Sequence, residues 1–350
     1  MKRKKRILVS PLDWGIGHAT RCIPIIRELI KHNFEIILSS SGRSEVLLRK
    51  EFPDLQCISL KGYNIKYSKD GRMMIWRMFF QIPKILLGII QEHKNLKKII
   101  KQYKIDAVIS DNRYGMWNSS ICSVFISHQI QIKSPLFSNL INQINLFFLK
   151  KYTECWVPDC NKNKLSGELS ISSESSIKYI GSLSRLKYRE RTKEYDICFL
   201  ISGPEPQRTI LEKIATDNLV KWGTKSCIIL GKPEEEYVET IGKCKIYSYL
   251  NDKELNTILL KSKIVICRSG YSTIMDLDKL KLEAIFIPTP GQKEQEYLAE
   301  YLEKKGICFY QNQEDFDLTK SLLKSEKYSG FKNDTKTETD WNKLFKIFEE

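Results

Sequence analysis

The sequence contains no CxxC pair and no apolar run of the roughly 18–20 residues that a membrane-spanning helix requires. Its ten cysteines are scattered singly, and most lie inside apolar segments. That pattern is typical of buried free thiols in a reducing compartment, and not of a disulfide framework or a zinc site. The N-terminus starts like a signal peptide, but its apolar run ends at Pro11 and Asp13, so we interpret it as a first strand. These absences predict a cytoplasmic protein, either free or peripheral on a membrane.

Acidic residues are also in deficit, with 42 Asp and Glu against 57 Lys and Arg, a formal net charge of +15. A surface of this charge attracts nucleic acid, an anionic membrane or phosphorylated small molecules. The aromatic residues lie within apolar runs and are not interleaved with basic residues, and no nucleic-acid motif is present. We therefore expect no nucleic-acid partner.

Twelve short apolar runs alternate with helix-length amphipathic segments along the 350 residues: RILVS, EIILSS, LQCISL, DAVIS, SVFIS, ECWV, DICFLIS, SCIILG, CKIYSYL, KIVIC, EAIFIP and ICFYQ. Runs without polar alternation are typical of strands buried on both faces of a parallel sheet. Twelve strands exceed one ordinary sheet, and the Ser-rich segment 161–176 has no hydrophobic period. We predict an α/β protein with two doubly wound Rossmann-like domains, 1–160 and 177–330, a linker at 161–176, and a C-terminal loop and helix at 331–350.

Ligands of such sheets bind beyond the carboxyl ends of the strands, so the residues that follow each run are the candidates for a site. After the first run, Gly15 and Gly17 permit a tight turn, and His18 lies near the start of a helix predicted over 19–31. His18 is either a base or hydrogen-bond donor in a site, or a helix-capping residue. Two later runs end in further polar residues that we expect on the same side as His18: Asp111, Arg113, His128 and Gln129.

Two runs of the second half lead through a glycine loop into a helix. Backbone N–H groups at a helix N-terminus bind phosphate oxygens well. Hydroxyl donors and a glycine that permits close approach add to this, so we predict phosphate contacts at Ser202, Gly203, Gln207, Arg268, Ser269, Gly270, Ser272 and Thr273. Ordinary capping explains Ser272 alone, but not Arg268 together with Gly270. Asp276 lies one turn further on, where a carboxylate can accept from a sugar diol.

A Pro-Gly turn after the run EAIFIP is followed by Gln292, Glu294 and Gln295, whose amide and carboxylate groups suit a ligand with many hydroxyls. The pair Asp276 and Asp278 spells a DxD motif, which is a signature of metal-dependent sugar transfer. Here the motif falls inside a predicted helix, where residues two apart point to different faces. We therefore predict no metal site.

The segment 264–306, RSGYSTIMDL through AIFIPTPGQKEQEYLAEYLEKKG, resembles the inverting GT-B glycosyltransferases of family 28, which include the MurG-type N-acetylglucosaminyltransferases. Weaker similarity extends to GIGH at 15–18, HQIQ at 128–131, GSLSR at 181–185 and SGPEPQ at 202–207. The resemblance implies a GT-B fold with two parallel sheets facing across a cleft. It also implies an enzyme that moves a hexose or N-acetylhexosamine from a nucleotide sugar, UDP-linked by expectation, to an acceptor hydroxyl with inversion and without a metal or other cofactor.

By the same resemblance His18 falls on the acceptor-side histidine, Arg185 and Asp276 on nucleotide contacts, and Gln295 on a donor-sugar contact. His18 is the first candidate for the general base and Asp111 the second. The sequence departs from the family pattern where Asp276 replaces Glu, where Gln129 replaces Glu, and where SGPEPQ carries two prolines. These departures predict a bacterial homologue of different acceptor specificity.

Two segments of the first half, 72–101 and 134–151, mix bulky apolar residues with lysines. They are either packed helices or an interfacial patch on the anionic inner face of the cell membrane, which would suit a lipid-linked acceptor in cell-envelope glycan synthesis. Two other functions remain open at this point. One is a UDP-sugar 2-epimerase of the same fold, and the other is a basic nucleic-acid-binding protein.

Overall fold

The computed structural model describes residues 3–63, 71–133, 138–161, 164–332 and 339–349, without the side chains of 71–79. The predictions for 134–137, for the side chains of 72–79 and for 333–338 lie outside the described residues. The chain divides into two compact units. The first comprises Met1–Ile65, Met78–Leu183 and Thr335–Glu350, and the second comprises Lys66–Arg77 and Ser184–Asp334. Within the described ranges, no helix is both long and apolar enough to cross a membrane.

The first unit is built on a parallel sheet whose strands run in the order β3-β2-β1-β4-β5-β6-β7. Its strands are β1 (Arg6–Pro11), β2 (Glu35–Ser40), β3 (Gln56–Ser59), β4 (Ala107–Asp111), β5 (Cys122–Ile126), β6 (Glu154–Val157) and β7 (Ile177–Tyr179). The strand order reverses between β1 and β4, which pair from Ile7 with Ala107 to Pro11 with Asp111. Doubly wound sheets bind ligands at such a reversal.

The second unit holds a second seven-stranded sheet, in the order β10-β11-β9-β8-β12-β13-β14, parallel except for the antiparallel pair β10 and β11. Its strands are β8 (Tyr195–Leu200), β9 (Ser226–Ile229), β10 (Val238–Ile241), β11 (Cys244–Tyr247), β12 (Ser262–Cys267), β13 (Glu283–Phe286) and β14 (Phe309–Tyr310). Here the order reverses between β8 and β12. The loops after these two strands therefore occupy the expected binding position.

Helices follow most strands, as burial of both sheet faces requires. They are α1 (Ile16–Lys31), α2 (Gly42–Glu51), α3 (Gly71–Tyr103), α4 (Ser138–Leu149), α5 (Gln207–Trp222), α6 (Asp252–Leu260), α7 (Tyr271–Leu280), α8 (Lys293–Lys304), α9 (Leu318–Ser325) and α10 (Trp341–Phe345). The largest core cluster of the second unit contains Phe199 and Ile266 from the central strands and Leu211 from α5.

All twelve apolar runs are strands, so the two-sheet α/β prediction is confirmed. The sequence analysis missed β7 and β10. The first has three residues, all of them partly or fully exposed, and β10 is almost entirely exposed. Neither carries the continuous apolar signal of a buried strand, and their pairing with a neighbouring strand is what makes them extended.

The segment 161–176 is not a free linker, and the boundary between the units falls after Leu183. Ser166 and Leu169 in this segment are fully buried. The carboxylate of Asp159 accepts hydrogen bonds from the backbone N–H groups of Leu165 and Ser166, at 3.1 and 3.0 Å. Polar composition suggested a linker, but Oγ of Ser166 contacts the carboxylate of Asp159 and Oγ of Ser170, so this part of the segment packs within the first unit.

The C-terminal segment belongs to the first unit from Thr335 onward, and not from the predicted position 331. Phe345 and Phe348 are nearly fully buried, with ring centroids 6.4 and 5.8 Å from that of Trp156. His32 Nε2 lies 2.9 Å from Asn342 Oδ1. The chain therefore returns to complete the core of its first unit.

Candidate active site

His18 is the third residue of α1, which begins at Ile16 and not at the predicted position 19. Gly15 is the N-cap residue, and its φ of 114° is one that residues other than glycine rarely adopt. No side chain caps this helix. The capping alternative for His18 is therefore wrong, because the first turn of the helix already contains it.

The His18 ring is paired with the carboxylate of Asp111, the last residue of β4. Nδ1 of His18 lies 2.6 Å from Oδ1 of Asp111. Because an ionised carboxylate only accepts hydrogen bonds, we assign the proton of this pair to Nδ1 of His18. Neutral His18 then has its lone pair on Nε2, the ring nitrogen turned away from Asp111.

Asp111 is fully buried, and Arg21 holds it from the other side. Arg21 donates to Asp111 from Nε and from Nη2, with each carboxylate oxygen accepting one bond. Burial opposes ionisation of Asp111, yet the charges of Arg21 and His18 hold its pKa below the usual value. Asp111 is therefore a buried carboxylate that faces His18 and Arg21.

Arg21 was not among the predicted residues, although it belongs to this cluster. Its Nη1 lies 3.0 Å from Nδ1 of His128, which follows β5 and is also buried. The one signal in the sequence is the spacing from His18, since residues three apart share a helix face. The structure thus brings together His18, Asp111 and His128, as predicted, around an arginine that the prediction overlooked.

Arg113 does not join this cluster, which corrects its assignment to the acceptor side. It is fully buried, and its Nε lies 2.7 Å from Oε1 of Glu92 on α3. Its two Nη atoms donate to the carbonyls of Leu60 and Lys61, at 3.1 and 2.8 Å. The side chain turns away from the strand end because its ion pair and acceptors lie in the interior.

Two other predicted residues of this side border the cluster through the backbone. Gln129 is partly exposed, and its N–H donates to Oγ of Ser127 at 3.1 Å. The carbonyl of Gly17, in the first turn of α1, accepts from Oγ1 of Thr20 at 2.9 Å. Both positions remain compatible with an acceptor site next to His18.

The second unit places two loops at its strand reversal. Gly203, after β8, has a φ of 107°, and a Cβ built there comes within 4 Å of one atom only, Oγ1 of Thr289. The backbone conformation, and not lack of space, requires this glycine. Ser202 beside it is partly exposed.

The loop after β12 leads into α7, whose N-cap is Gly270. Ser272 and Thr273 lie in the first turn and are partly exposed. The first N–H groups of a helix have no partner within the helix, so this turn offers backbone and hydroxyl donors to an anion. Phosphate contacts at these three positions remain a prediction.

Arg268 is not placed to contact a phosphate, which corrects its predicted role. It is fully buried. Nη1 donates to the carbonyls of Ile287 and Pro288, at 3.0 and 3.2 Å, and Nη2 donates to the carbonyl of Gln207 at 2.9 Å and to Oε1 of Gln313 at 2.5 Å. Arg268 thus fixes three loops to one another from inside the protein.

Three more predicted ligand contacts are buried supports of the same loops. Oε1 of Gln207 accepts from Nε2 of Gln313 at 3.1 Å. Oγ of Ser269 donates to the carbonyl of Gln295 at 2.7 Å, and Oε1 of Gln295 accepts from the N–H of Thr289 at 2.8 Å. The atoms assigned to a donor therefore bond within the protein, because each side chain points back towards its neighbouring loop.

Asp276, on α7, lies beside the start of the second unit. Oγ of Ser184 donates to its Oδ1 at 2.5 Å. Burial raises the pKa of Asp276 to about 6, although the charge of Arg185 opposes the shift. Arg185 Nη1 is itself 2.5 Å from Oδ1 of Asp252. The two residues predicted to contact the nucleotide, Arg185 and Asp276, are thus neighbours in one charged cluster.

The predicted helical position of the DxD motif is confirmed, since Asp276 and Asp278 both lie within α7. In the part of the chain that the structure describes, no group of three or more His, Cys, Asp or Glu side chains is arranged to hold a metal ion. Gln292 is the N-cap residue of α8, and Glu294 lies in its first turn. Both are partly exposed, as a sugar contact at this turn would require.

Two doubly wound sheets with polar residues at their strand reversals are typical of α/β proteins that bind a ligand there, and comparisons with known proteins show which class this is. Residues 207–347 match the glycosyltransferase family 28 C-terminal domain, and residues 5–125 match glycosyl transferase family 1. The chain is a glycosyltransferase of the GT-B type with a family 28 C-terminal domain.

The particular relatives are distant. An uncharacterized glycosyltransferase of Methanosarcina acetivorans is 26% identical over 340 residues, covering 86% of this chain and 84% of the relative. The UDP-N-acetylglucosamine--N-acetylmuramyl-(pentapeptide) pyrophosphoryl-undecaprenol N-acetylglucosamine transferase of Glaesserella parasuis is 25% identical, covering 92% and 88%. The crystal structure of Acinetobacter baumannii MurG has the same fold, with a TM-score of 0.57 and 13% identity over 99% of both chains.

Proposed function

We propose that this glycosyltransferase moves a hexose or N-acetylhexosamine from a UDP-linked donor to an acceptor hydroxyl, with inversion and without a metal. The observation that carries the proposal is the pairing of His18 with the buried carboxylate of Asp111 at the strand reversal of the first unit. A neutral imidazole whose Nδ1–H is bonded to a carboxylate keeps Nε2 as a proton acceptor.

In the proposed reaction Nε2 of His18 takes the proton of the acceptor hydroxyl as its oxygen bonds to the anomeric carbon. The bond from that carbon to the diphosphate oxygen breaks, and UDP leaves with the electron pair. Asp111 stabilises the imidazolium that forms. Asp111 is the poorer candidate for the base, because it is fully buried and bonded to Arg21.

The donor is proposed to bind the second unit. The first turn of α7, with Gly270, Ser272 and Thr273, would receive the diphosphate oxygens. Asp276 would accept from the ribose hydroxyls, and Gln292 and Glu294 would contact the sugar. In this scheme backbone N–H groups stabilise the leaving UDP, which is the task that a metal performs in DxD enzymes.

The first experiment separates donor binding from proton transfer. His18→Ala should lower kcat by about 10²–10⁴, the usual effect of removing a general base. UDP affinity, measured by calorimetry, should stay the same, since UDP is proposed to bind the other unit. His32→Ala is the matched control, because His32 lies at the far end of α1 and bonds Asn342.

Near-full turnover of His18→Ala would remove His18 from the mechanism. A larger loss for Asp111→Asn than for His18→Ala would make Asp111 the base. Complete loss of turnover in EDTA, restored by Mn²⁺ or Mg²⁺, would contradict the metal-independent scheme. No thermal shift with millimolar UDP, GDP, dTDP or ADP would contradict the assignment of the donor site.

We further propose that the acceptor is lipid-linked and that the enzyme works as a peripheral protein on the inner face of the cell membrane. On α3, Phe80, Leu87 and Ile90 are 76%, 67% and 53% exposed, spaced by seven and three residues along one helix face. The opposite face of α3 supplies buried residues such as Leu96. A second apolar stripe on an already packed helix needs another partner.

The neighbouring helix α4 has the same feature. Leu140, Ile144 and Phe147 are 55%, 46% and 57% exposed at spacings of four and three. Both helices adjoin one cluster, in which Ile85 of α3 and Phe148 of α4 pack against the same buried residues. The two stripes, Phe80–Leu87–Ile90 and Leu140–Ile144–Phe147, are called the apolar stripes below.

The charge around the apolar stripes favours an anionic lipid surface. Lys94, Lys97 and Lys98 on α3 are exposed, and Lys151 follows α4 with its Nζ 4.6 Å from the ring centroid of Phe147. From residue 80 to the end of α3 the only acidic residue is Glu92, which is buried against Arg113. Apolar insertion flanked by lysines is how monotopic proteins bind anionic bilayers.

Sedimentation with vesicles tests this surface. The protein should bind phosphatidylglycerol-containing vesicles and bind phosphatidylcholine vesicles far more weakly. Leu87→Ser with Phe147→Ser should abolish binding, and Leu323→Ser, at a residue 66% exposed in the second unit, is the control. Equal binding of the double variant and the control would contradict the proposal.

The family placement favours sugar transfer over the 2-epimerase and the nucleic-acid-binding alternatives. An epimerase would release UDP and the 2-epimer of the donor sugar without any acceptor. A nucleic-acid-binding protein would show affinity for polynucleotide that falls steeply with salt. Product analysis and a salt titration therefore test the two alternatives.

A further inference from the structure

Arg21 contacts each of the other three side chains of the His18 cluster, those of His18, Asp111 and His128. Its side chain is 3% exposed, and it donates to both oxygens of Asp111 and, from Nη1, to Nδ1 of His128 at 3.0 Å. Nη2 also lies 3.0 Å from Nδ1 of His18. Oδ1 of Asp111 accepts from this Nη2 and lies 2.6 Å from the same Nδ1, and for that reason we assign the ring proton to Nδ1 in His18 and not in His128.

We infer that Arg21 is a positioning residue that keeps His18 in the neutral, Nδ1-protonated form by supplying the positive charge that buried Asp111 requires. The inference rests on the proposed role of His18 as base, and it adds that Arg21 determines the protonation state of that histidine. An isolated buried carboxylate is unstable, so it either pairs with a cation or takes up a proton. Arg21 meets that requirement and leaves the imidazole uncharged.

Without Arg21, the negative charge of buried Asp111 can be balanced in two ways. In both of them Nε2 of His18 binds a hydrogen and loses its free lone pair. In the first, His18 takes a second proton and becomes the cation that Asp111 needs. In the second, Asp111 takes the proton and donates to Nδ1, so that the imidazole carries its hydrogen on Nε2. In both cases His18 no longer accepts a proton at neutral pH.

The other groups around Asp111 cannot replace Arg21. Cys22 on α1 has its Sγ 3.7 Å from Oδ2 of Asp111, and burial raises the pKa of this thiol well above its usual value, so it stays uncharged. His128, after β5, contacts Arg21 through Nδ1. Because Arg21 only donates, Nδ1 of His128 must carry a lone pair, so this ring is neutral when the contact forms.

His128 has a separate part in the arrangement. Its Nδ1 accepts from Nη1, one of the three N–H groups of Arg21 that Asp111 does not use, and this third acceptor helps to fix the plane of the guanidinium. A planar guanidinium donates in fixed directions. His128 thereby orients the two N–H groups that hold Asp111, and through Asp111 it orients the ring of His18.

The test uses histidine-selective ¹⁵N labelling, which reads the protonation of each ring nitrogen without any turnover. The chain has only four histidines, so single substitutions assign every signal. In the unaltered protein, His18 should be the Nδ1–H tautomer near pH 8. In Arg21→Met, Nε2 of His18 should carry a proton at that pH. Arg27→Met is the control, since Arg27 lies on the same helix but pairs with Glu51.

Turnover gives the second measurement. In Arg21→Met kcat at pH 8 should fall about tenfold or more, and the acidic limb of the pH–kcat profile should move to higher pH, because the charge of Asp111 is no longer balanced by the arginine. The KM for the donor should not change. Arg21→Lys keeps the positive charge, so His18 should remain neutral. Because an ammonium group cannot donate to both oxygens of Asp111 in the same fixed geometry, kcat should still fall about tenfold or more. His128→Asn, whose Oδ1 can accept from Arg21, should retain more activity than His128→Leu.

Two results overturn the inference. One is a folded Arg21→Met protein whose His18 keeps its hydrogen on Nδ1 and its lone pair on Nε2. The other is protonation of His18 at Nε2 in Arg21→Lys as well as in Arg21→Met. These results differ from a failure of the proposed function. Full activity of His18→Ala would show that His18 is not the base, while the tautomer measurements would still decide whether Arg21 sets the protonation of His18.

Discussion

Replacement of Arg268 by methionine tests whether this residue supports the loops or binds the donor. Methionine fills much of the same volume but removes every N–H donor. The carbonyls of Ile287, Pro288 and Gln207 and the amide oxygen of Gln313 would each lose a partner inside the protein. An unsatisfied buried acceptor costs about 1–3 kcal/mol.

The four losses will not add in full, because the loops relax and water reaches some of the oxygens. We therefore expect the free energy of unfolding of the second unit to fall by about 3–5 kcal/mol, as when one partner of a buried charged network is removed. With a urea dependence of about 2 kcal/mol per molar, the midpoint should drop by roughly 1.5–2.5 M. Hydrogen exchange of residues 202–210 and 286–292 should report the loss locally.

The control is Arg191→Met, which removes an exposed arginine of the same unit. It should change neither the urea midpoint nor the hydrogen exchange of the two loops. UDP titrations decide between the two roles. If Arg268→Met keeps its urea midpoint but loses UDP affinity tenfold or more, Arg268 contacts the diphosphate as the sequence suggested, and the supporting role derived from the structure is wrong.

Three further outcomes are expected. UDP affinity should rise as pH increases through about 6, because burial raises the pKa of Asp276 to about 6 and its ionised form is the better acceptor for two hydroxyls. Asp276→Asn should remove this dependence of the affinity on pH. By linkage, the raised pKa of Asp276 stabilises the folded state below about pH 4, and this contribution is lost as pH rises through 6. Urea midpoints of the unaltered protein and of Asp276→Asn, measured across this pH range, should show the difference. Glu92→Leu should destabilise the first unit by about 3–5 kcal/mol because it leaves Arg113 buried without its partner, and an unchanged midpoint would refute this. Phe345→Ala should cost about 3–5 kcal/mol in the first unit and nothing in the second, which hydrogen exchange resolves by unit.

The sequence predicted the sheets better than the connections between them. Continuous apolar runs such as KIVIC indicate strands buried on both faces, because they are short, rich in β-branched residues and bounded by turn residues. The strand β10 is almost entirely exposed, and the segment around Ser166 looks like a linker although it is packed. Composition cannot distinguish a serine in water from one whose hydroxyl bonds a buried carboxylate, such as that of Asp159.

The site shows the same limit at the level of side chains. Strand-end position predicted that His18 and Asp111 would meet, because β1 and β4 are neighbours at the reversal of the sheet. Position along the chain did not predict direction, so Arg113 and Arg268 were assigned to ligands although both turn inward to buried acceptors. From the sequence alone, a charged residue next to a glycine loop is equally compatible with supporting the loop and with binding the ligand.

The return of the C-terminal segment to the first unit has a consequence for how the protein is made. Phe345 and Phe348 complete the packing around Trp156, yet they come after the whole second unit in the chain. The second unit is synthesised as an insertion between parts of the first and has all its strands available earlier. The core of the first unit therefore cannot close until the chain beyond the second unit has been synthesised, so a stop codon before Phe345 would damage the half of the enzyme that is encoded first.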